Sequence, residues 1–260
     1  MKKALHLLKG FRPTVSIPAA MLVHVGYRLE HLPTNWGLVI IIFILTGLTM
    51  LQNDYFDREH DLKKGKRFAY ENPKFLLKFL VAGWTLTLLS AALYYPSQFI
   101  FLSLIAGIGF FYSFFRKITG LSHFTVAVLS ASPLFLAEMY HSNQAVIWFS
   151  VAVFLGIYAR EALKDVEDRV IDQGYKNTLL TAEVLEFNAV HENAAYIICF
   201  AAAVPIMAMP HGQPLVVLLY FLAICMLITS AVLLSPCKMT ARGKQFFDAG
   251  MCVILIAFSI

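Results

Sequence analysis

Long apolar runs separated by short polar breaks dominate this sequence. About 20 apolar residues in a helix cross the hydrocarbon core of a bilayer. On that measure the runs predict helices near 14–31, 36–55, 74–95, 98–115, 121–140, 145–163, 192–210, 213–235 and 246–260. Turn residues mark the breaks: Leu32-Pro33-Thr34-Asn35, Tyr95-Pro96-Ser97, His141-Ser142-Asn143 and Met209-Pro210-His211-Gly212. The fifth run contains Pro133, which removes a helical hydrogen bond within it. Two runs end in acids. The second leads into Asn53, Asp54, Asp57 and Asp61, and the sixth into Asp165, Asp168 and Asp172. At about 100° per helical residue, acids at i, i+3 and i+7 fall within roughly 60° on one face. Such acids repel one another at a membrane edge unless cations sit among them.

Composition confirms the class. Of the 260 residues, 59% are hydrophobic and 14% charged, more apolar sequence than a soluble core of this length conceals. The pattern predicts an all-α, polytopic membrane helical bundle of about nine transmembrane helices, with two cytoplasmic loops capping the active site. Lys2, Lys3, Lys9 and Arg12 precede the first run as they would in a signal peptide, but Arg12-Pro13 and the later spans favour a retained helix. All but one of the 21 Lys and Arg fall in the N-terminal segment and alternate loops, Arg28 being the exception. The positive-inside rule then puts the N-terminus and both acidic motifs in the cytoplasm. The net charge of +5 is dispersed between spans, which argues against a nucleic-acid partner. Cys199, Cys225, Cys237 and Cys252 lack C-x-x-C spacing and read as packing thiols. Residues 1–260 form one expected domain, with two faintly repeated halves split near 115–120. The loops 56–73 and 164–190 exceed what a helix–helix connection needs, and each is expected to carry a short helix over its acids.

A single acidic triplet reads as a solvated helix end. Two with identical spacing, flanked by cations on one side of the membrane, point to a shared metal site. Carboxylates with an Asn carbonyl are hard oxygen donors suited to Mg²⁺, which keeps sites for substrate phosphates. Lys63, Lys64, Lys66, Arg67, Arg116, Lys117, Lys164 and Lys176 lie on the same side and suit a phosphate group. A lipid diphosphate bound there would leave an allylic cation as its C–O bond ionises, and aromatic faces stabilise such a cation. Tyr55, Phe56, Tyr112 and Tyr158 lie nearest the motifs. His24 and His191 have no evident partners in sequence, and Arg160 and Glu161 read as pairing with neighbours.

These residues also carry a resemblance. Asn53-Asp54-x-x-Asp57-x-x-x-Asp61 resembles the first motif of the UbiA-type intramembrane prenyltransferases, and Asp165-x-x-Asp168-x-x-x-Asp172 their second. Arg12-Pro13, Tyr112-x-x-x-Arg116-Lys117-x-Thr119 and Gly174-x-Lys176-x-Thr178 are similar to further motifs of that family, in the same order. The resemblance implies a polyprenyl diphosphate donor, a hydrophobic acceptor in the lipid bilayer and two Mg²⁺ ions. By the same carry-over Asn53, Asp54, Asp57 and Asp61 would hold one ion, and Asp165, Asp168 and Asp172 the other. Arg12, Asn53, Lys64, Arg67, Arg116, Lys117, Lys164 and Lys176 would contact substrate, and Tyr112 would lie near the breaking bond. The acceptor stays open. Arg160-Glu161-x-x-Lys164-Asp165-x-Glu167-Asp168 is closest to the branch that prenylates glycerophospholipid precursors, whereas Asp57-Arg58 is similar to the chlorophyll synthases. A membrane terpene cyclase and, in another class, an ion-coupled transporter are the alternatives.

Overall fold

The computed structural model describes residues 2–63, 65–115, 121–138, 143–172 and 240–259, with short pieces at 197–198, 201, 219, 222–227 and 229. Among these residues every regular element is helical. They are α1 (Lys2–Gly10), α2 (Pro13–Leu29), α3 (Trp36–Phe56), α4 (Arg58–Lys63), α5 (Phe68–Glu71) and α6 (Pro73–Tyr94). Then come α7 (Phe99–Phe115), α8 (Leu121–Ala131), a 3-10 turn at Ser132–Leu134, α9 (Phe135–Glu138), α10 (Gln144–Asp172) and α11 (Thr240–Ser259). The helices α3 and α6 and the stretch Gln144–Ala162 of α10 are long and apolar enough to cross a membrane. The expected spans 192–210 and 213–235 lie mostly outside the described residues.

The breaks form where turn chemistry predicts. Asn35 caps α3 by accepting from the Leu38 N–H at 3.3 Å, and Pro73 opens α6 at a position that needs no N–H donor. Pro133 turns the fifth span into α8, a 3-10 turn and α9. His24, which the sequence leaves without a partner, meets Thr34 across the first turn, Nδ1 to Oγ1 at 2.6 Å, and stacks on Trp36.

Helix α2 is the centre of the described bundle because it buries two faces. Leu22, Val25 and Leu29 face a core built from α10, α11 and the 3-10 turn, including Phe149, Val153, Leu134 and Ile254. Ala20, Val23 and Tyr27 face a second core with Leu45, Leu48 and Leu51 of α3, Leu76 and Leu80 of α6, and Leu102 of α7. At the other extreme, α6 exposes Leu77, Val81, Leu86, Leu89 and Leu93, an apolar surface suited to lipid contact. Gly26 lets α2 approach the proline turn, since a Cβ there would sit 2.5 Å from the Leu134 carbonyl oxygen. Gly26→Ala therefore overpacks the junction between the cores. It is expected to cost about 1–3 kcal/mol, seen as a lower unfolding midpoint of the purified protein in detergent.

Two differences from the sequence expectation bear on the site. An amphipathic helix, α1, precedes the first span, and its end packs on α3, where a Cβ on Gly10 would collide with Leu51. In addition, α10 continues through Asp172. Residues 164–172 are therefore the end of a long helix rather than loop, and 173–190, the rest of the stretch expected to carry a short helix, lie outside the described residues.

Candidate functional site

Helix α3 delivers the first acidic motif. Its interior is apolar, and it ends where polar residues begin, with Asp57 as C-cap and the Asp57 N–H donating to the Asn53 carbonyl at 2.9 Å. The chain bends at Asp57 and resumes as α4, in which the Asp61 N–H donates to the Asp57 carbonyl at 2.7 Å. The acids thus straddle a helix break instead of lying on one uninterrupted helix. Asp57 and Asp61 are only 6% and 7% exposed. Buried carboxylates require positive charge nearby, and Asp57 also lies at the negative end of the α3 dipole.

The cations come from two turns. Arg12, between α1 and α2, donates from Nη2 to Asp54 Oδ1 at 2.6 Å, a charge-assisted bond across 42 residues of sequence. The turn is fixed from several sides. Ser16 Oγ donates to the Phe11 carbonyl at 2.6 Å, the Phe11 ring lies beside Phe43, and a Cβ on Gly47 would strike that ring. Lys66 comes from the end of α4. There the Lys66 N–H bonds the Asp61 carbonyl at 3.0 Å and the Gly65 N–H bonds the Leu62 carbonyl at 3.1 Å, with Gly65 at φ +80°. This is the glycine-dependent turn that satisfies the last carbonyls of a helix. It brings Lys66 Nζ to 3.0 Å from Asp61 Oδ2.

The sequence groups Lys66 with the loop cations that suit a phosphate and does not show its pairing with Asp61. The signal was Gly65, placed where a helix would end. Lys63 and Arg67 are exposed in the same loop. Arg58 turns away from the acids, stacking on the Tyr55 ring at 4.8 Å and donating to the Tyr55 carbonyl. Gln52, also unremarked in the sequence, is buried beside the motif and donates from Nε2 to the Phe110 carbonyl at 2.6 Å, fixing α3 against α7 two residues before Tyr112. Tyr112 is half-buried on α7.

The second motif lies on the last two turns of α10, whose backbone carries Lys164, Asp165, Asp168 and Asp172. Their side chains lie outside the described residues, as do Lys64, Arg116, Lys117 and Lys176. One turn earlier, Arg160 pairs with Glu161 at 2.9 Å and with Asp248 of α11 at 2.8 Å, which ties the two helices together. Tyr158 belongs to an aromatic cluster with His123 and Phe154 between α8 and α10. An apolar cleft lined by Phe149, Val153, Ile198 and Leu227 lies elsewhere, between α10 and α11, and carries none of this chemistry.

Among the described residues no three His, Cys, Asp or Glu converge as a metal-binding group. The donor set of the first motif still fits Mg²⁺. It consists of carboxylates and an Asn carbonyl, two of the acids are buried, and Asp54 and Asp61 already attract cationic groups.

A comparison with curated protein sequences gives no match. The model of the UbiA prenyltransferase family matches residues 15–252. Among solved structures, the chain is similar to a digeranylgeranylglyceryl phosphate synthase, with 18% identity, 100% of this chain and 98% of that one covered, and a TM-score of 0.73. It is similar to a UbiA homologue from Aeropyrum pernix K1, solved in its apo form, at 15% identity, 94% coverage of each chain and a TM-score of 0.67. A third is a UbiA homologue from Archaeoglobus fulgidus bound to GPP and Mg²⁺, at 12% identity, 98% and 99% coverage, and a TM-score of 0.62.

Proposed function

The chain belongs to the UbiA prenyltransferase family, and from that premise we propose that it transfers a prenyl group from an allylic polyprenyl diphosphate to a hydrophobic acceptor, releasing diphosphate. The observation that carries this reading is the pair of cation-held carboxylates where α3 meets α4, Asp54 with Arg12 and Asp61 with Lys66. An arrangement that holds acids and basic side chains side by side suits a ligand that brings both a metal and a diphosphate. The A. fulgidus homologue bound to GPP and Mg²⁺ supports the same ligand pair. Family membership also sets aside the transporter alternative.

In this reading Asn53, Asp54, Asp57 and Asp61 hold one Mg²⁺, and Asp165, Asp168 and Asp172 a second. When bound, Mg²⁺ neutralises charge on the departing diphosphate. Arg12, Lys64, Lys66, Arg67, Arg116, Lys117, Lys164 and Lys176 supply the remaining positive charge. The C1–O bond breaks with its electron pair on the diphosphate, and Tyr112 on α7 would lie near the breaking bond, where an aromatic face stabilises the cation that remains. The acceptor's electron pair then forms the new bond to C1, and its proton leaves to solvent at the membrane face. The N-terminus and site lie on the cytoplasmic side, and residues 1–260 act as one domain of two related halves.

For the acceptor, the Arg160–Asp168 resemblance favours a glycerol-phosphate lipid precursor over an aromatic one. The test is product analysis with purified protein, Mg²⁺, a graded series of allylic diphosphates and both acceptor classes. A prenylated acceptor with stoichiometric diphosphate is expected. A cyclic hydrocarbon or alcohol formed from donor and Mg²⁺ alone would replace this reading with the cyclase.

A further inference from the structure

We propose that Arg12 is an exchangeable counter-ion, which neutralises Asp54 until a diphosphate draws it away, so that diphosphate and divalent cation bind with positive coupling. This rests on the reading of the site as one that binds both.

The first argument is conformational. Arg12 has φ 46° and ψ 69°, the left-handed region that a residue with a Cβ rarely adopts. It also precedes Pro13, which steers the residue before it towards extended backbone. Strain of this kind persists only where the surroundings impose it. Here they are the wedge of Phe11 against α3, the Ser16 bond to the Phe11 carbonyl, and the N–H groups of Val15 and Ser16 bonded to the Arg12 carbonyl at 2.8 and 3.0 Å. The turn therefore fixes the Arg12 backbone, and from there its guanidinium reaches Asp54.

The second argument is chemical. Asp54 is one of the carboxylates assigned to the first cation, and its Oδ1 is engaged by a full positive charge at 2.6 Å. A divalent cation that binds this carboxylate meets that charge, as a rival at Oδ1 and as a repelling neighbour at Oδ2. The guanidinium has donors and no acceptor, so it leaves Asp54 at least cost when another anion takes its place, and a diphosphate offers the bidentate oxygens it suits. The pair can open, because the side chains of Arg12 and Asp54 are 29% and 19% exposed. Linkage then makes the effect reciprocal: whatever binds Arg12 frees Asp54, and whatever binds Asp54 frees Arg12. Lys66 on Asp61 has the same form, but its side chain is 53% exposed and its hold is correspondingly weaker.

Each half can be read separately on the full-length protein in lipid nanodiscs. Mn²⁺ binding, followed by electron paramagnetic resonance with no diphosphate present, is expected to tighten about tenfold in Arg12→Gln. Arg12→Lys, which keeps the charge and loses the planar fork, should fall between the two. Inorganic diphosphate binding in the presence of chelator, followed by calorimetry, is expected to tighten by a similar factor in Asp54→Asn, where Arg12 is released. Unfolding midpoints close to wild type establish that the variants are folded, and the graded response of Arg12→Lys gives a second measure if Arg12→Gln is unstable. Unchanged or weaker Mn²⁺ binding in both Arg12 variants, with normal binding by wild type, overturns the exchange alone. A wild-type protein that binds no Mn²⁺ overturns the metal site and this proposal with it.

Discussion

Asp54→Ala and Asp165→Ala are each expected to abolish diphosphate release, lowering turnover by about 10²–10³-fold or more. Each change removes a carboxylate from one of the two motifs assigned to the metal ions. Losing a single preorganised group that stabilises developing charge costs about this much in other enzymes. The two variants should differ in how they fail. Asp54→Ala also deprives Arg12 of its partner at 2.6 Å, so a released guanidinium remains to attract the donor. Its donor affinity should hold up better than its turnover. Asp165→Ala removes an acid from the end of α10, where the neighbouring cation is Lys164 in sequence, and there both donor binding and turnover should fall. A coupled diphosphate-release assay, run beside donor binding and an unfolding midpoint, separates these outcomes from loss of fold. Near-normal turnover in both variants would refute the two-metal site.

Much of this architecture was legible in the sequence, and what escaped it has physical reasons. Apolar run length placed α3, α6 and α7 almost to the residue, because in a membrane every backbone group must be bonded within its own helix and the run is the span. Hydropathy missed the end of α10 for the converse reason. Residues 164–172 are rich in charge and read as a loop, yet they contain neither Gly nor Pro, and the first helix breaker is Gly174. Helix α1 was missed because nine residues with three lysines make no apolar run, and its stability comes from packing on α3.

The candidate site divides in the same way. Spacing alone makes Asn53, Asp54, Asp57 and Asp61 candidates, since one helical period relates Asp54, Asp57 and Asp61 and Asn53 adjoins them. It could not find the partners, because Arg12 reaches Asp54 through a turn whose left-handed backbone has no sequence signature in an Arg-Pro pair. Lys66 was closer to being readable. A Gly just past a helix of charged residues predicts the turn that brings the next side chain back over the helix end. Gln52 was hidden by its chemistry. A single amide in an apolar run signals a buried hydrogen bond without saying that its acceptor is the Phe110 carbonyl, 58 residues away.

Removing divalent cations with excess chelator is expected to bring turnover to background, with Mg²⁺ and Mn²⁺ restoring it and Zn²⁺ restoring little. The donor set decides the order. Asn53, Asp54, Asp57 and Asp61 offer only oxygen, and Asp165, Asp168 and Asp172 add no nitrogen or sulfur. Such a set suits hard ions that keep positions open for phosphate oxygens, whereas zinc favours His and Cys. His60, between Asp57 and Asp61, is the one nitrogen ligand close in sequence, so it supplies the sharpest check. If turnover in Zn²⁺ matches that in Mg²⁺ and falls selectively in His60→Ala, the all-oxygen site is wrong. If turnover survives chelation, the carboxylates serve only as partners for Arg12 and Lys66, and the positive charge on the leaving diphosphate must come wholly from basic side chains. The expected result is neither of these. Chelation should leave a folded protein, because Arg12 and Lys66 already neutralise two of the acids, with the unfolding midpoint lowered only by the lost binding of the ions while the chemistry disappears.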